Sequence, residues 1–309
     1  MQNGQRIKTN GTIDLVKLLM ALLVIGIHVE PFKTFPMLDR LFSLVNRTCV
    51  PFFFITSSYF FFKGNKSPLI FIKRIILLYV IWSIIYLPFS KPLSLFHLLW
   101  FGNEHGLWYL WASVIGFLIT YLLAKQLKPN TILIIGFLVL LFGTLKSTWY
   151  PLIENIIQLG NVFGERSGLF YAFPYFALGY YLANREPLEL KKASALLFAS
   201  AILLGIETVF FVIFLKTSHT ILWLSLYPLS YSLFAIIRQL NIEIAKETSL
   251  FLRRISTLLY LSHFLFIYLF SNYEGLALYL LVTASSFFLS YLIIMLSKTK
   301  VFAFLKYLY

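Results

Sequence analysis

Apolar runs of about 17 to 24 residues, the length at which a helix crosses a ~30 Å hydrocarbon core, recur along the whole chain. In lipid every backbone polar group needs an internal partner, so runs of this length dictate helices. Ten spans read at 12–31, 43–62, 68–88, 106–125, 130–149, 167–184, 192–215, 219–238, 250–270 and 276–297. Leu93–Trp100 is too short to cross and reads as an interfacial or re-entrant piece. The expected fold is all-α: a polytopic membrane protein of about ten transmembrane helices. It is expected to form one integral-membrane domain over 1–309, with no appended soluble domain. No clear internal repeat or pair of matching broken helices marks it as an inverted-repeat transporter.

Charge agrees with this class. Only 12% of the 309 residues are charged and 60% are hydrophobic, against about 25% charged in soluble domains. A formal charge of +14 would suggest nucleic acid in a soluble protein; here the positive-inside bias explains it, and no nucleic-acid partner is expected. With Lys17 set aside, 18 of the 26 Lys and Arg residues fall on one side of the ten-span layout and seven on the other. The richer side is read as cytoplasmic, with both termini on it, in a multi-pass protein of the cell (plasma) membrane. The first run lacks a cleavage site and reads as a retained helix. The single cysteine, Cys49, excludes an internal disulfide framework and reads as packing.

The first span, Ile13–Val29, carries Asp14, Lys17 and His28 in an otherwise oily run. Ionisable residues in lipid need compensation and are functional-site hypotheses by default. Lys17 and His28 are eleven residues apart, which puts both on one helix face about 16 Å apart along the axis. Snorkelling to the two interfaces is the bland reading. The functional one makes His28 a neutral base able to take a hydroxyl proton near pH 7, with Lys17 a fixed positive charge below it. Asp14, at i−3, is expected to pair with Lys17.

Other residues carry chemistry less sharply. Glu207, inside the seventh span, reads as a polar interhelical tie or as a group that accepts a proton or orients a substrate. Arg166, between Gly164 and Gly168, is a candidate for binding a substrate at the outer mouth or a solvated loop charge. Trp108 and Tyr109 read as an aromatic belt or a stacking surface for a sugar. His263 lies mid-helix, as a structural hydrogen-bonding residue or part of a substrate site. Ser57 lacks the elbow sequence of a serine nucleophile and is left as a substrate-binding candidate. No His or carboxylate pair stands at i, i+4 in a ligand pattern, so no metal is expected.

Lys17-x10-His28, followed by Val50-Pro51-Phe52-Phe53-Phe54-Ile55-Thr56-Ser57-Ser58-Tyr59, resembles the opening of the acyltransferase-3 family of integral-membrane acyltransferases. Those proteins have Arg-x10-His in the first helix and a PFFF-x-x-SGY run at the second. Gly106-Leu107-Trp108-Tyr109-Leu110 resembles the family's HLWYL, Phe170-Tyr171-Ala172-Phe173-Pro174-Tyr175-Phe176-Ala177-Leu178-Gly179 its F-x-x-F-P-x-F-x-x-G, and Leu259-Tyr260-Leu261-Ser262-His263 its YLLH. The match runs from about residue 10 to 297. Lys17 in place of Arg, with Arg166-x-Gly168, brings it closest to the membrane halves of vancomycin-resistance serine racemases. Two departures stand out. Lys offers a point charge where Arg offers a planar fork, and Ser58 stands for the usual Gly, which predicts a less close approach of the second helix to its neighbour.

The resemblance implies a membrane O-acyltransferase. It would move an acyl group, acetyl by preference, from cytoplasmic acyl-CoA to a hydroxyl of an envelope glycan or polymer outside. His28, Lys17 and Glu207 would be catalytic. Arg166, Trp108, Tyr109, Ser57 and His263 would meet the acceptor, and Lys17, Lys73 and Arg74 the phosphates of CoA. Expected partners are the bilayer, the glycan acceptor, and a second copy or components of glycan synthesis. Two rival readings stay open: a carrier of a small polar solute such as serine, and a non-catalytic scaffold in envelope-polymer synthesis.

Overall fold

The computed structural model describes residues 10–64, 67–89, 106–147, 167–214, 222–240 and 242–309. Among the described residues every regular element is helical: α1 (Gly11–Val29), α2 (Pro36–Asn46), α3 (Cys49–Lys63), α4 (Pro68–Tyr86), α5 (Trp108–Ala124), α6 (Pro129–Ser147), α7 (Phe173–Ala183, entered through a π turn at Gly168–Ala172), α8 (Leu190–Phe214), α9 (Leu226–Ile237), α10 (Lys246–Leu269) and α11 (Gly275–Leu296), then a 3₁₀ segment at Ala303–Leu308. The protein is thus a helical membrane protein. Each expected span coincides with one of these helices, but only six (α1, α4, α6, α8, α10 and α11) are long and apolar enough to cross a bilayer by themselves.

The other four, α3, α5, α7 and α9, are shorter, at 11 to 17 residues. α7 has eleven residues, of which Phe173 to Gly179, Leu182 and Ala183 are all buried. It is the middle of the bundle, solvated by protein rather than lipid, so its length is not set by the hydrocarbon thickness. α2 is a helix the sequence reading missed. It is short and amphipathic, with Met37, Leu38, Leu41 and Val45 exposed, and a single apolar stripe of eleven residues is invisible to a search for spans.

Proline and side-chain caps set several helix starts. Pro68 opens α4 and Pro174 lies in the first turn of α7, positions where a missing N–H costs nothing. Asn10 caps α1 by accepting from Ile13 N–H at 3.2 Å. Its Nδ2 donates to the Arg238 carbonyl at 3.1 Å, and Thr12 Oγ1 donates to the Leu240 carbonyl at 2.6 Å. The start of α1 is thereby tied to the end of α9.

The closest backbone approach around α7 corrects the expectation about Ser58. A methyl group on Gly179 would lie 2.5 Å from the Ile55 carbonyl oxygen and 2.6 Å from Ser58 Cβ. Ser58 Oγ donates to the Phe176 carbonyl at 2.6 Å. Gly179 on the α7 side suffices for the two helices to meet closely, and the Ser58 hydroxyl adds a hydrogen bond at the crossing.

Asp14 also departs from expectation. Its fully buried carboxylate accepts from Ser249 Oγ at 2.5 Å and Arg253 Nε at 2.8 Å, both on α10. A buried carboxylate is costly unless paired and hydrogen-bonded, and this one clamps α1 to α10.

Two substitutions test this packing. Gly179→Val inserts atoms where a Cβ already collides with backbone, and should destabilise the protein by about 2 kcal/mol, read as a lowered midpoint of unfolding in detergent. Asp14→Ala strands the Arg253 charge and should cost about 3 kcal/mol, more than the Asp14→Ala/Arg253→Met double variant, because an orphaned charge costs more than a removed pair.

Candidate functional site

A cavity of about 1000 Å³ opens between α1, α3, α4, α5 and α10. Its polarity is graded. Lys17, Arg74, Arg253, Arg254 and Lys306 line it, and no carboxylate side chain does. Toward its other end the walls are hydroxyls and aromatic rings: Thr56, Ser57, Ser113, Thr257, Phe53, Tyr109 and Tyr260. The residues facing it on α3 run from Phe53 to Gly64 and on α10 from Leu250 to Leu261, so it extends about 15 Å along the helices.

Helix periodicity builds these walls. Leu250, Arg253, Arg254, Thr257, Tyr260 and Leu261 recur on one stripe of α10, as Phe53, Thr56, Ser57, Phe60 and Gly64 do on α3. Lys17 Nζ lies 5.1 Å above the Phe60 ring, an aromatic face that favours a cation. The like charges of Arg74 and Arg254 repel one another across the cavity. Several hydroxyls bond to their own helix: Thr56 to the Phe52 carbonyl at 2.6 Å, Ser113 to Tyr109 at 2.7 Å and Thr257 to Arg253 at 2.9 Å.

The far end is closed by three aromatic rings. Phe53 stands 6.2 Å from both Tyr109 and Tyr260, and these two are 5.3 Å apart. The Tyr260 hydroxyl donates to the Gly106 carbonyl. Gly106 has φ +74°, and an added Cβ there would lie 2.8 Å from the Phe264 ring; a side chain is excluded on both counts.

Beyond this layer the two histidines meet. The His28 and His263 rings stack with centroids 5.3 Å apart and an interplanar angle of 28°, and Phe264 touches His28 at 4.6 Å. His28 is exposed and His263 is buried. His263 Nδ1 lies 2.7 Å from the Tyr260 carbonyl and 3.3 Å from that of Leu259. Carbonyls only accept, so Nδ1 carries the proton. The buried Nε2 is left as an unprotonated acceptor with no hydrogen-bond partner.

The structure therefore gathers Lys17, Ser57, Tyr109 and Arg74 on one cavity, and His28 with His263 just beyond it. It separates others. Lys73 is exposed and does not line the cavity. Trp108 stacks on Tyr171 at 5.8 Å. Glu207 accepts from Leu224 N–H at 3.0 Å, Ser225 N–H at 2.9 Å and the Ser225 hydroxyl. It ties α8 to the start of α9 and does not line the cavity. Arg166 lies outside the described residues. Sequence reading counted Arg253, Arg254 and Lys306 only toward topology and gave Tyr260 no role of its own. Thr257 and Tyr260 at +4 and +7 from Arg253 were the available signal. Among the described residues no group of three or more His, Cys, Asp or Glu side chains is placed to hold a metal.

The profile of the acyltransferase-3 family, an acyltransferase domain, matches residues 10–297. An amino-acid racemase of Enterococcus faecalis is 24% identical over 94% of this chain and 47% of its own length. Another from that organism is 28% identical over 56% of this chain and 28% of its own length. A serine/alanine racemase of Enterococcus gallinarum is 26% identical over 74% of this chain and 37% of its own length. The chain thus spans less than half the length of these relatives. No solved structure matches it. With the helical bundle, the cation-lined cavity and the histidine pair in place, the match over nearly the whole sequence makes this chain a member of the acyltransferase-3 family of membrane acyltransferases.

Proposed function

We propose that this acyltransferase takes its acyl group from acyl-CoA, acetyl-CoA by preference, and passes it to a hydroxyl of an envelope glycan or polymer on the other side of the plasma membrane. The observation that carries the reading is the cavity lined by five cations and no carboxylate side chain, with Arg253 of the five ion-paired to the buried Asp14 behind it. Such a surplus inside a membrane protein calls for a polyanion, and the diphosphate and 3′-phosphate of CoA are one. In this reading that end of the bundle, on the side richer in Lys and Arg, faces the cytoplasm.

In this reading the phosphates lie among Lys17, Arg74, Arg253 and Arg254, and the pantetheine arm follows the hydroxyl-lined wall toward Tyr109 and Tyr260. The thioester comes to the aromatic layer, and the acceptor hydroxyl approaches His28 from its exposed side. His28 takes the hydroxyl proton as the oxygen bonds to the acyl carbon. The carbon–sulfur bond breaks, and the CoA thiolate leaves with the proton returned to it. His263 supports the His28 ring by stacking. Lys17 supplies charge to the donor rather than a directed fork. Arg166 and Trp108 remain candidates for holding the acceptor.

The purified protein should bind acetyl-CoA. At a hundred-fold excess over Kd, binding should stabilise it by about 2.7 kcal/mol. Arg254→Gln should weaken that effect. His28→Ala should keep it while lowering acyl transfer about 10²- to 10⁴-fold, the range of a lost general base, measured as esterified envelope polymer in cells. Absence of both binding and an esterification phenotype would sink the reading. The carrier alternative, whose support is the racemase names of the relatives, predicts serine flux in proteoliposomes without acyl-CoA.

A further inference from the structure

The segment Ala303–Tyr309 turns back into the bundle and is fastened at three places. Its Leu308 carbonyl accepts from Trp82 Nε1 of α4 at 3.1 Å. The Tyr309 hydroxyl shares a hydrogen bond of 2.8 Å with Ser297 Oγ at the end of α11. The Arg254 guanidinium of α10 lies 5.3 Å over the Tyr309 ring. Leu305, Leu308 and Tyr309 pack on the core formed with Trp82 and Ile294. The segment is thus a wall between α4 and the α10–α11 pair, held by side chains from three helices.

Three residues of the segment line the cavity: Lys306, Tyr307 and the anchored Tyr309. Tyr307 is 54% exposed and lines it. Phe304 is equally exposed at 60% but does not line it. Exposure of Tyr307 alone would suit a ring resting at the lipid headgroups; its place on the cavity beside Arg74 and Arg254 distinguishes it. Lys306 lines the cavity too and makes no hydrogen bond or ion pair among the described residues. An open aromatic face beside uncompensated cations is the chemistry that recognises a purine base bearing phosphates: the ring stacks on the base, and the cations take the charge.

We infer that Lys306 and Tyr307, presented by the anchored Ala303–Tyr309 segment, form a purine-nucleotide subsite at the cavity mouth, with Tyr307 stacked on the base and Lys306 on a phosphate. The subsite rests on the acyl-CoA reading and adds to it a part of the chain beyond the matched residues 10–297. It is a binding and specificity element; its residues stay remote from the reacting carbon.

The test uses the full chain in nanodiscs and the fluorescent ethenoadenine form of CoA as probe, with acetyl-CoA as competitor. In the wild type the probe should bind with its emission quenched by stacking. Tyr307→Leu should weaken binding about ten-fold, the size of a lost base–aromatic stack, and abolish the quench. Tyr307→Phe should preserve both. Phe304→Leu, a change of the same kind on the same segment, should leave affinity and emission unchanged. If Tyr307→Leu binds and quenches like the wild type, or if Phe304→Leu weakens binding equally, the subsite is wrong while the donor reading stands. If neither the probe nor acetyl-CoA binds the wild type, the donor reading falls and the subsite falls with it.

Discussion

The arrangement depends on one buried carboxylate. Asp14 is fully buried, and among the described residues its side-chain partners come from α10: the Ser249 hydroxyl, which donates to it, and the Arg253 guanidinium, which balances its charge. This contact sets the register of two helices. Fourteen residues separate Asp14 from His28, and fourteen separate Ser249 from His263. Because α1 and α10 advance by the same rise and turn, a clamp at one end delivers the two histidines to each other at the other end. Lys17, Arg253, Thr257 and Tyr260 are laid along the cavity between the two contacts. The polar stripe of the first helix is thus half of a seam whose other half is on α10.

Much of this was legible in the sequence. The spacing of Lys17 and His28 is a property of any α-helix and needed no partner to be read. The apolar runs located the helices because the bilayer sets a length. What escaped was whatever depended on a partner helix. Asp14 has a basic neighbour at i+3, so local reasoning paired it with Lys17, yet its partners lie some 235 residues away. Glu207 read as an interhelical tie or as a catalytic group, because a carboxylate in an apolar run demands an explanation. The explanation is the free N–H groups at the start of α9, which no pattern within α8 reveals. Arg253 and Arg254 sat in a basic cluster that topology already explained, and an explanation in hand hid a second one. Ser58 is the mirror case: the close approach it was expected to prevent is made by Gly179 on the opposite helix.

The hydroxyl groups show how such a protein separates structure from site. Thr120, Thr144, Ser200 and Ser290 each bond to the carbonyl four residues back on their own helix. They are satisfied wherever the helix goes and specify little about its neighbours. Against that background a buried group without a partner is conspicuous. His263 Nε2 is one among several that also include the hydroxyls of Ser230, Ser262, Thr283 and Ser286, and its place sets it apart, beyond the cavity where the histidines meet. A membrane interior charges heavily for such a vacancy, which is a physical reason to look there for chemistry before looking at the many satisfied serines and threonines.

The fixed seam also makes the protein a gauge of length. With α1 and α10 locked at both ends, the distance from the lysine at the cavity wall to the histidine beyond it is set by rigid helix, about 16 Å along the axis, and cannot adjust to a shorter ligand. A molecule that places its charges among the cations and its reacting carbon beside the histidine must carry an arm of that reach between them. On the proposed reading, an anion and an acyl group joined by a short tether would satisfy one end or the other, never both, and the bundle would discriminate by span even without a contact specific to the acyl group.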